Sequence, residues 1–317
     1  MELYRSEDGH VAKYVHDDGS ETAIKTTPIT EYGGVYGKVT NKYNVFISMS
    51  VGCVVGCKFC YLTTKKCPYV TLTTEEIVAN VIEAILTEVG HKPELKEMYT
   101  KLSWMGMGDA YLDVEKMYKA TVNIATILEN EDLSAGIDGV DIATTLPKIP
   151  TPGEDYISAL AYSINGFKLN GRRNYYEEGS RQPIRVFYSL HSAVGETRKF
   201  LIPKTTALPK AATYLLDLVK QDDVTVVLHH MFFNKLNDDR REVGAVISFL
   251  NNFEDLELRL LRFNKCEGTV FTESEDFDSI VERIYNYHTN IKVQSSPGSE
   301  VKAACGQFLL SKINDLR

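Results

Sequence analysis

Short β-branched apolar runs alternate along the chain with longer stretches whose apolar residues recur at helical spacing. The runs Asn44–Met49, Leu102–Met107, Gly139–Thr144, Ile184–Ser189, Val224–Met231 and Leu256–Arg262 predict strands. Helical spacing covers Thr74–Val89, Val114–Leu128, Glu154–Ser163, Lys210–Lys220, Arg240–Leu250 and Asp276–His288. Thr73 or Thr74, ahead of Glu75 and Glu76, suits a helix cap, and Pro209 suits a first helical turn. Strands each followed by a helix predict parallel βαβ units, because every crossover must traverse the sheet to return in the same direction. The natural closure is an α/β partial (βα)6 TIM-like barrel. Ligands in such folds sit at the carboxyl ends of the strands, so residues just after Met49, Met107, Thr144, Ser189, Met231 and Arg262 are expected to line one mouth.

Three regions fall outside the alternation. Residues 1–42 are polar and punctuated by glycine, and predict a small β extension packed on the barrel rim; the barrel is expected over 43–295 and a C-terminal segment over 296–317. A loop inserted at about 147–183 ends in a basic stretch, where Lys168, Arg172, Arg173, Arg181 and Arg185 outnumber Glu177 and Glu178 and Phe167, Tyr175 and Tyr176 are interleaved. Basic side chains among aromatics make an RNA or nucleotide contact or, more blandly, a solvated surface insertion.

The net charge of −8 over 317 residues removes any general attraction to phosphate backbones, so nucleic acid would need that local patch. The N-terminus lacks a signal-peptide apolar core, and no run approaches the roughly 18 apolar residues of a membrane span. A cytoplasmic protein, with no membrane partner, is expected.

Of the six cysteines, Cys53, Cys57 and Cys60 lie within eight residues, directly after a predicted strand. Their Cys-x3-Cys-x2-Cys spacing suits a metal site in a reducing compartment better than disulfides. Three thiolates from one loop can hold three irons of a [4Fe-4S] cube, leaving the fourth iron open to a substrate or cofactor. A zinc site completed by Cys67 or a histidine is the alternative.

This spacing, with Phe59 before the last cysteine and a βα barrel around it, resembles the radical S-adenosylmethionine superfamily. The resemblance implies that the open iron binds the methionine part of S-adenosylmethionine, whose reductive cleavage gives a 5′-deoxyadenosyl radical, with an external donor such as flavodoxin or ferredoxin supplying the electron. From about Arg5 to Leu310 the chain is similar to the RlmN/Cfr-type adenine methylases of ribosomal and transfer RNA. Trp104-Met-Gly-Met-Gly-Asp109 resembles the segment that meets the methionine amino group in that family, which implies cofactor roles for Gly108 and Asp109. Ala143-Thr144-Thr145, Ser189-Leu190-His191 and Arg262-Phe263-Asn264 match its other cofactor segments, implying roles for Thr144, Thr145, Ser189, Leu190, His191 and Asn264. Ala303-Ala304-Cys305-Gly306-Gln307 matches the C-terminal segment of the family, whose cysteine is methylated by one cofactor molecule and then joins the adenine ring through the methyl carbon. Glu21, in Ser20-Glu-Thr-Ala-Ile24, resembles a carboxylate assigned as proton acceptor, while an exposed N-terminal glutamate is its plain alternative.

The departures are specific. The second thiol of the family lies seven residues before the first cluster cysteine, where this chain has Phe46, so Cys67 or Cys266 substitutes for it or the reaction differs. Asp109 is one methylene shorter than the usual glutamate, Ala110 replaces a proline, Ala143 lacks a hydroxyl, and 52 residues before Cys53 leave no room for the usual N-terminal accessory domain. His229 and His230 end a predicted strand and face opposite sides; Asn237-Asp238 reads as a helix cap; Trp104 reads as core; Tyr61 either stacks on the adenine or packs. The expected function is therefore a monomeric radical methyltransferase acting on adenine in RNA through Cys305. The alternative is a radical enzyme with the same cofactors acting on a nucleotide, peptide or protein.

Overall fold

The computed structural model describes residues 1–26, 42–148, 154–170, 184–253, 255–294, 301 and 303. The chain opens with β1 (Glu2–Arg5), β2 (Val11–Val15) and β3 (Glu21–Thr26), which pair antiparallel in order. β4 (Lys42–Phe46) pairs antiparallel with β3 and begins the parallel part of the sheet. Next come the short β5 (Ser50–Val51), α1 (Tyr61–Thr64), β6 (Val70–Thr71) and α2 (Thr74–His91). The βα alternation then runs β7 (Tyr99–Trp104), α3 (Val114–Asn130), β8 (Ile137–Thr144), α4 (Glu154–Asn170), β9 (Ile184–Ser189), α5 (Gly195–Leu201), α6 (Leu208–Val219), β10 (Val224–His230), α7 (Arg240–Leu250), β11 (Glu257–Leu261), α8 (Phe277–Tyr285) and β12 (Ile291–Gln294).

One ten-stranded sheet has the order β1-β2-β3-β4-β7-β8-β9-β10-β11-β12, and every pair from β4 onward is parallel. This is the expected α/β partial barrel, open at both edges. Three features differ from the expectation. β12 adds a seventh parallel strand; its pattern Ile-Lys-Val-Gln is too short and too polar to read as a strand in sequence. The N-terminal strands do not lie on the rim but continue the sheet through β3. Residues 165–170 of the expected insertion complete α4 instead of forming loop.

The two faces of the sheet are chemically distinct. Tyr43, Val45, Leu102, Trp104, Val140, Ile142, Val186, Leu228 and Leu258 join Ile77, Ile85, Met117, Ile124, Leu160, Leu215 and Val246 of the helices in one core. Period-2 alternation sends Lys42, Lys101, Asp141 and Arg185 to the other face, and the bulge where the β7–β8 register shifts between Thr100 and Lys101 brings Asp138 beside them. There Asp138 takes Lys42 at 2.9 Å and Lys101 at 3.4 Å, and Asp141 takes Lys101 at 3.3 Å and Arg185 at 2.6 Å, so one ion-pair ladder ties β4, β7, β8 and β9. Arg185 thus does not extend a basic surface from Lys168 to Arg185: its fork is closed on Asp141 within the sheet. Residues 171–183 of that stretch lie outside the described residues.

α2 is capped by Thr73, whose hydroxyl accepts from Glu76 N at 3.1 Å while the Glu76 carboxylate accepts from Thr73 N at 2.7 Å. The same helix anchors the N-terminal strands. Glu88, only 1% exposed, accepts from Arg5 at 2.7 and 2.8 Å and from the Tyr14 hydroxyl at 2.6 Å.

Candidate active site

The cysteine loop leaves β5 and returns through α1 to β6. The β5–β6 ladder, Ser50 opposite Thr71 and Val51 opposite Val70, closes it at the base. Gly52 has φ +67°, and a Cβ there would lie 2.2 Å from the Pro68 carbonyl oxygen, so only glycine lets the two arms close. Cys60 caps α1, its carbonyl accepting from Thr63 N and Thr64 N at 3.1 Å, and Cys60 N donates to Cys57 O at 3.1 Å. These bonds fix the spacing of the last two thiols.

All three thiols are half-buried and unoxidised. Burial pushes the Cys53 thiol up to about 11, helped by the charge of Asp109. Burial also lifts Cys57 well above its ordinary value, and next in size come the charges of Cys60, Cys53 and Asp109. Three thiols close enough to repel one another in ionised form, on one loop, are the donor set that an iron–sulfur group requires. Among the described residues no three His, Cys, Asp or Glu side chains are gathered tightly enough to hold a single metal ion. A cube, which spaces its thiolates farther apart than one ion does, makes no such demand.

The Trp104–Asp109 segment packs directly beneath this loop, and its glycines are a packing necessity. A Cβ on Gly106 would stand 2.7 Å from the Ile47 carbonyl oxygen, and one on Gly108, at φ +87°, would stand 2.6 Å from the Ser50 hydroxyl. Ser48 completes the contact, its hydroxyl donating to Glu21 O at 2.5 Å and accepting from Met107 N at 3.0 Å.

Asp109 joins two strand ends. One carboxylate oxygen accepts from Thr145 N at 2.7 Å and the Thr145 hydroxyl at 2.8 Å, and the other from Tyr111 N at 3.0 Å. Burial nonetheless raises its pKa, the Thr145 bonds opposing. Thr144 turns back on its own strand end, accepting from Leu146 N at 2.9 Å. Asp109, Thr144 and Thr145, predicted separately, therefore form one unit.

A second unit forms at the ends of β9 and β10. Leu190 N donates to His229 O at 2.9 Å, and His191, at φ +50°, accepts from Met231 N at 3.1 Å through Nδ1. Burial and the charges of His230 and Arg198 drive His191 well below its ordinary pKa. Its neutral ring accepting at Nδ1 must carry its proton on Nε2. Phe59 of the cysteine loop packs edge-on against that ring with centroids 4.9 Å apart. His229 and His230 are both buried and held neutral, each pushed down to about 3 by burial. Ser189 ends its strand beside His229, while Asn264 lies half-buried in the segment after β11.

Sequence reasoning missed two organising residues. Asn237 does not cap α7; Asp239 does, accepting from Glu242 N at 2.8 Å. Asn237 is buried and donates to His191 O at 2.7 Å and Met231 O at 2.8 Å while accepting from Phe233 N at 2.6 Å. Arg198, on α5, donates to Thr145 O and Ser189 O and so links the two units. No local motif marks either residue, because their partners are carbonyls of other strands.

Glu21 is buried, not exposed, and pairs with Lys13 at 2.5 Å. Phe46 lies under the Lys25 ammonium, 4.6 Å from its ring centroid. Around Phe46 a small apolar cluster gathers Tyr61, Leu62, Met107, Cys266 and Ala303, with Cys53, Cys60, Cys67 and Val301 packed on it. Lys25 also donates to Ala303 O at 2.8 Å. Tyr61 and Trp104 are packing residues here, with Trp104 Nε1 donating to Thr121 at 3.0 Å. Cys305 lies outside the described residues.

No family model matches the chain. Curated relatives do: an RNA methyltransferase of Nautilia profundicola described as dual-specificity RlmN is 27% identical over 98% of this chain and 78% of its own length. A probable RlmN of Bacteroides thetaiotaomicron is 25% identical over the same shares. Among solved structures, a radical S-adenosylmethionine methyltransferase from Sphaerobacter thermophilus superposes with a TM-score of 0.66 at 20% identity, covering 97% of this chain and 80% of that one. The chain is a relative of the RlmN-type RNA methyltransferases and shares the fold of a radical S-adenosylmethionine methyltransferase.

Proposed function

We propose that the protein is a radical S-adenosylmethionine enzyme that methylates an adenine base in RNA, with Cys53, Cys57 and Cys60 holding a [4Fe-4S] cluster and Cys305 carrying the methyl group. The observation that carries this reading is the position of Ala303. Two residues before Cys305, it is fully buried in the same apolar cluster as Cys53 and Cys60, with its carbonyl held by Lys25.

The cofactor supplies the reactive carbon radical that such chemistry needs; the protein binds, orients and excludes water. Asp109 holds Thr145 at the mouth, and the Nε2–H of His191 offers one fixed donor beside Phe59. Glu21, whose carbonyl accepts from Ser48, is a buried carboxylate paired with Lys13 and suits proton transfer better than an exposed residue would. An external one-electron donor such as flavodoxin or ferredoxin is required, and a monomer in the cytoplasm fits the reading. Among the described residues no helix is long and apolar enough to cross a membrane.

Phe46 favours a second reading, a radical enzyme on a substrate other than RNA, because a phenyl ring cannot do the work of a thiol. Mass spectrometry separates the two. Cellular RNA with and without the protein is searched for methylated adenosine, and intact-mass analysis is made of the Cys305 peptide. A methyl group on Cys305 together with protein-dependent methyladenosine is expected; an unmodified Cys305 during turnover, with unchanged RNA, refutes the proposal.

A further inference from the structure

Arg198 is the largest fully buried side chain among the described residues, 2% exposed. Its Nη1 donates to Ser189 O at 2.7 Å and to Leu190 O, and its Nη2 to Thr145 O at 3.2 Å and Thr205 Oγ1 at 3.1 Å. All four acceptors are uncharged, and Nε has no hydrogen-bond partner among the described residues. Among the described residues no carboxylate bonds to this guanidinium.

The local packing puts α5 against the cysteine loop. Lys58 N donates to Leu201 O at 2.9 Å, and Leu201 and Ile202 share an apolar cluster with Val55 and Phe59, against which Cys53 and Cys57 pack. A guanidinium does not shed its proton in a protein, and an isolated buried cation is costly. A group of thiolates on the adjacent loop would complete this site electrically.

We propose that Arg198 is the buried counter-charge of the iron–sulfur cluster held by Cys53, Cys57 and Cys60, and that it raises the reduction potential of that cluster. The inference rests on the cluster reading above. Reduction adds one electron from a low-potential one-electron donor and hence one negative charge, with no bond made or broken and no proton moved. A fixed positive charge nearby favours the reduced form. Arg198 also ties the carbonyls of Thr145, Ser189 and Leu190, so a test must separate its charge from its hydrogen bonds.

The experiment is anaerobic reconstitution of the full-length protein, iron and sulfide counting, and a potentiometric titration with dithionite followed by electron paramagnetic resonance. Wild type, Arg198→Lys and Arg198→Gln are compared. Arg198→Gln is expected to lower the reduced-to-oxidised ratio at a fixed potential at least tenfold, which is about 59 mV for a one-electron couple. Arg198→Lys, which keeps the charge and loses the fork, should stay near wild type. An unshifted midpoint in Arg198→Gln, or equal shifts in both variants, makes Arg198 a hydrogen-bonding staple and overturns the proposal.

Should Arg198→Gln fold without iron, Thr205→Val decides. It removes one acceptor of the guanidinium and leaves the charge, so retained iron at the wild-type potential supports the proposal and lost iron overturns it. A wild-type protein that binds no iron and sulfide refutes the cluster reading itself, an outcome distinct from a loaded protein indifferent to residue 198.

Discussion

The Asp109 carboxylate receives three hydrogen bonds, two of them from backbone amides that have no alternative acceptor, in a position 4% exposed. Replacing it by asparagine preserves shape but supplies one oxygen in place of two. If the oxygen keeps Thr145, the new NH2 group faces Tyr111 N, donor against donor, and a buried amide goes unpaired at a cost of about 1–3 kcal/mol. Alanine leaves both amides unpaired, about 2–6 kcal/mol, while the Thr145 hydroxyl is free to rotate elsewhere. The expected order of stability is wild type, Asp109→Asn, Asp109→Ala. Trp104, the only tryptophan, is buried on β7 five residues away, so its fluorescence during urea unfolding reports on this end of the sheet. Both variants should also bind S-adenosylmethionine more weakly in equilibrium dialysis, because Thr145 loses its anchor. Unfolding of both within about 0.5 kcal/mol of wild type, or asparagine costing as much as alanine, would refute the claim that Asp109 acts through these donors.

Two further outcomes follow from other parts of the molecule. Cys57→Ala leaves two thiols to hold the cluster, so iron and sulfide after anaerobic reconstitution should fall far below wild type; full iron content in that variant defeats the three-thiolate assignment. Glu88→Ala strands Arg5 and the Tyr14 hydroxyl and should cost about 3–5 kcal/mol, loosening the N-terminal strands, which limited proteolysis detects as early cleavage before residue 26. Burial alone would raise the Glu88 carboxyl, but the Arg5 and Tyr14 bonds outweigh it and hold the carboxyl below its ordinary value. Its contribution is therefore present above the unfolded value near 4.3 and lost as pH falls through the lower folded value, so wild type and Glu88→Ala should converge in stability at acid pH.

The legible parts of this protein are those written locally. Strand and helix identity followed from periodicity, with boundaries off by a few residues at most of the parallel strands, because β-branched runs sit where the sheet is covered. The thiol loop was legible because three cysteines lie within eight residues. β5 and β6 were not, being two residues each and held by a single ladder across Gly52. The same limit applies to Glu21. Its burial depends on β2 supplying Lys13 and on β3 pairing with β4, contacts between segments that carry no shared local pattern. Asn237 looked like a cap because asparagine before a helix usually is one. Here Asp239, two residues on, took the cap and left Asn237 to satisfy carbonyls at the β10 end.

Charge illustrates the same division at the scale of the whole fold. A net charge of −8 argues against nucleic-acid binding only if charge is spread evenly, and the sheet shows that it is not. Lys42, Lys101 and Arg185 sit with Asp138 and Asp141 on the sheet face opposite the helix-covered core, so that three cations are set against two carboxylates in a partly desolvated ladder. Paired ions of this kind hold neighbouring strands in register and offer little free charge to a polyanion. Under the proposed function an RNA substrate must then be attracted by charge elsewhere on the molecule. That division suits the proposed reaction on a single base, because the polyanionic backbone need not approach these paired ions for the base to reach the thiol loop.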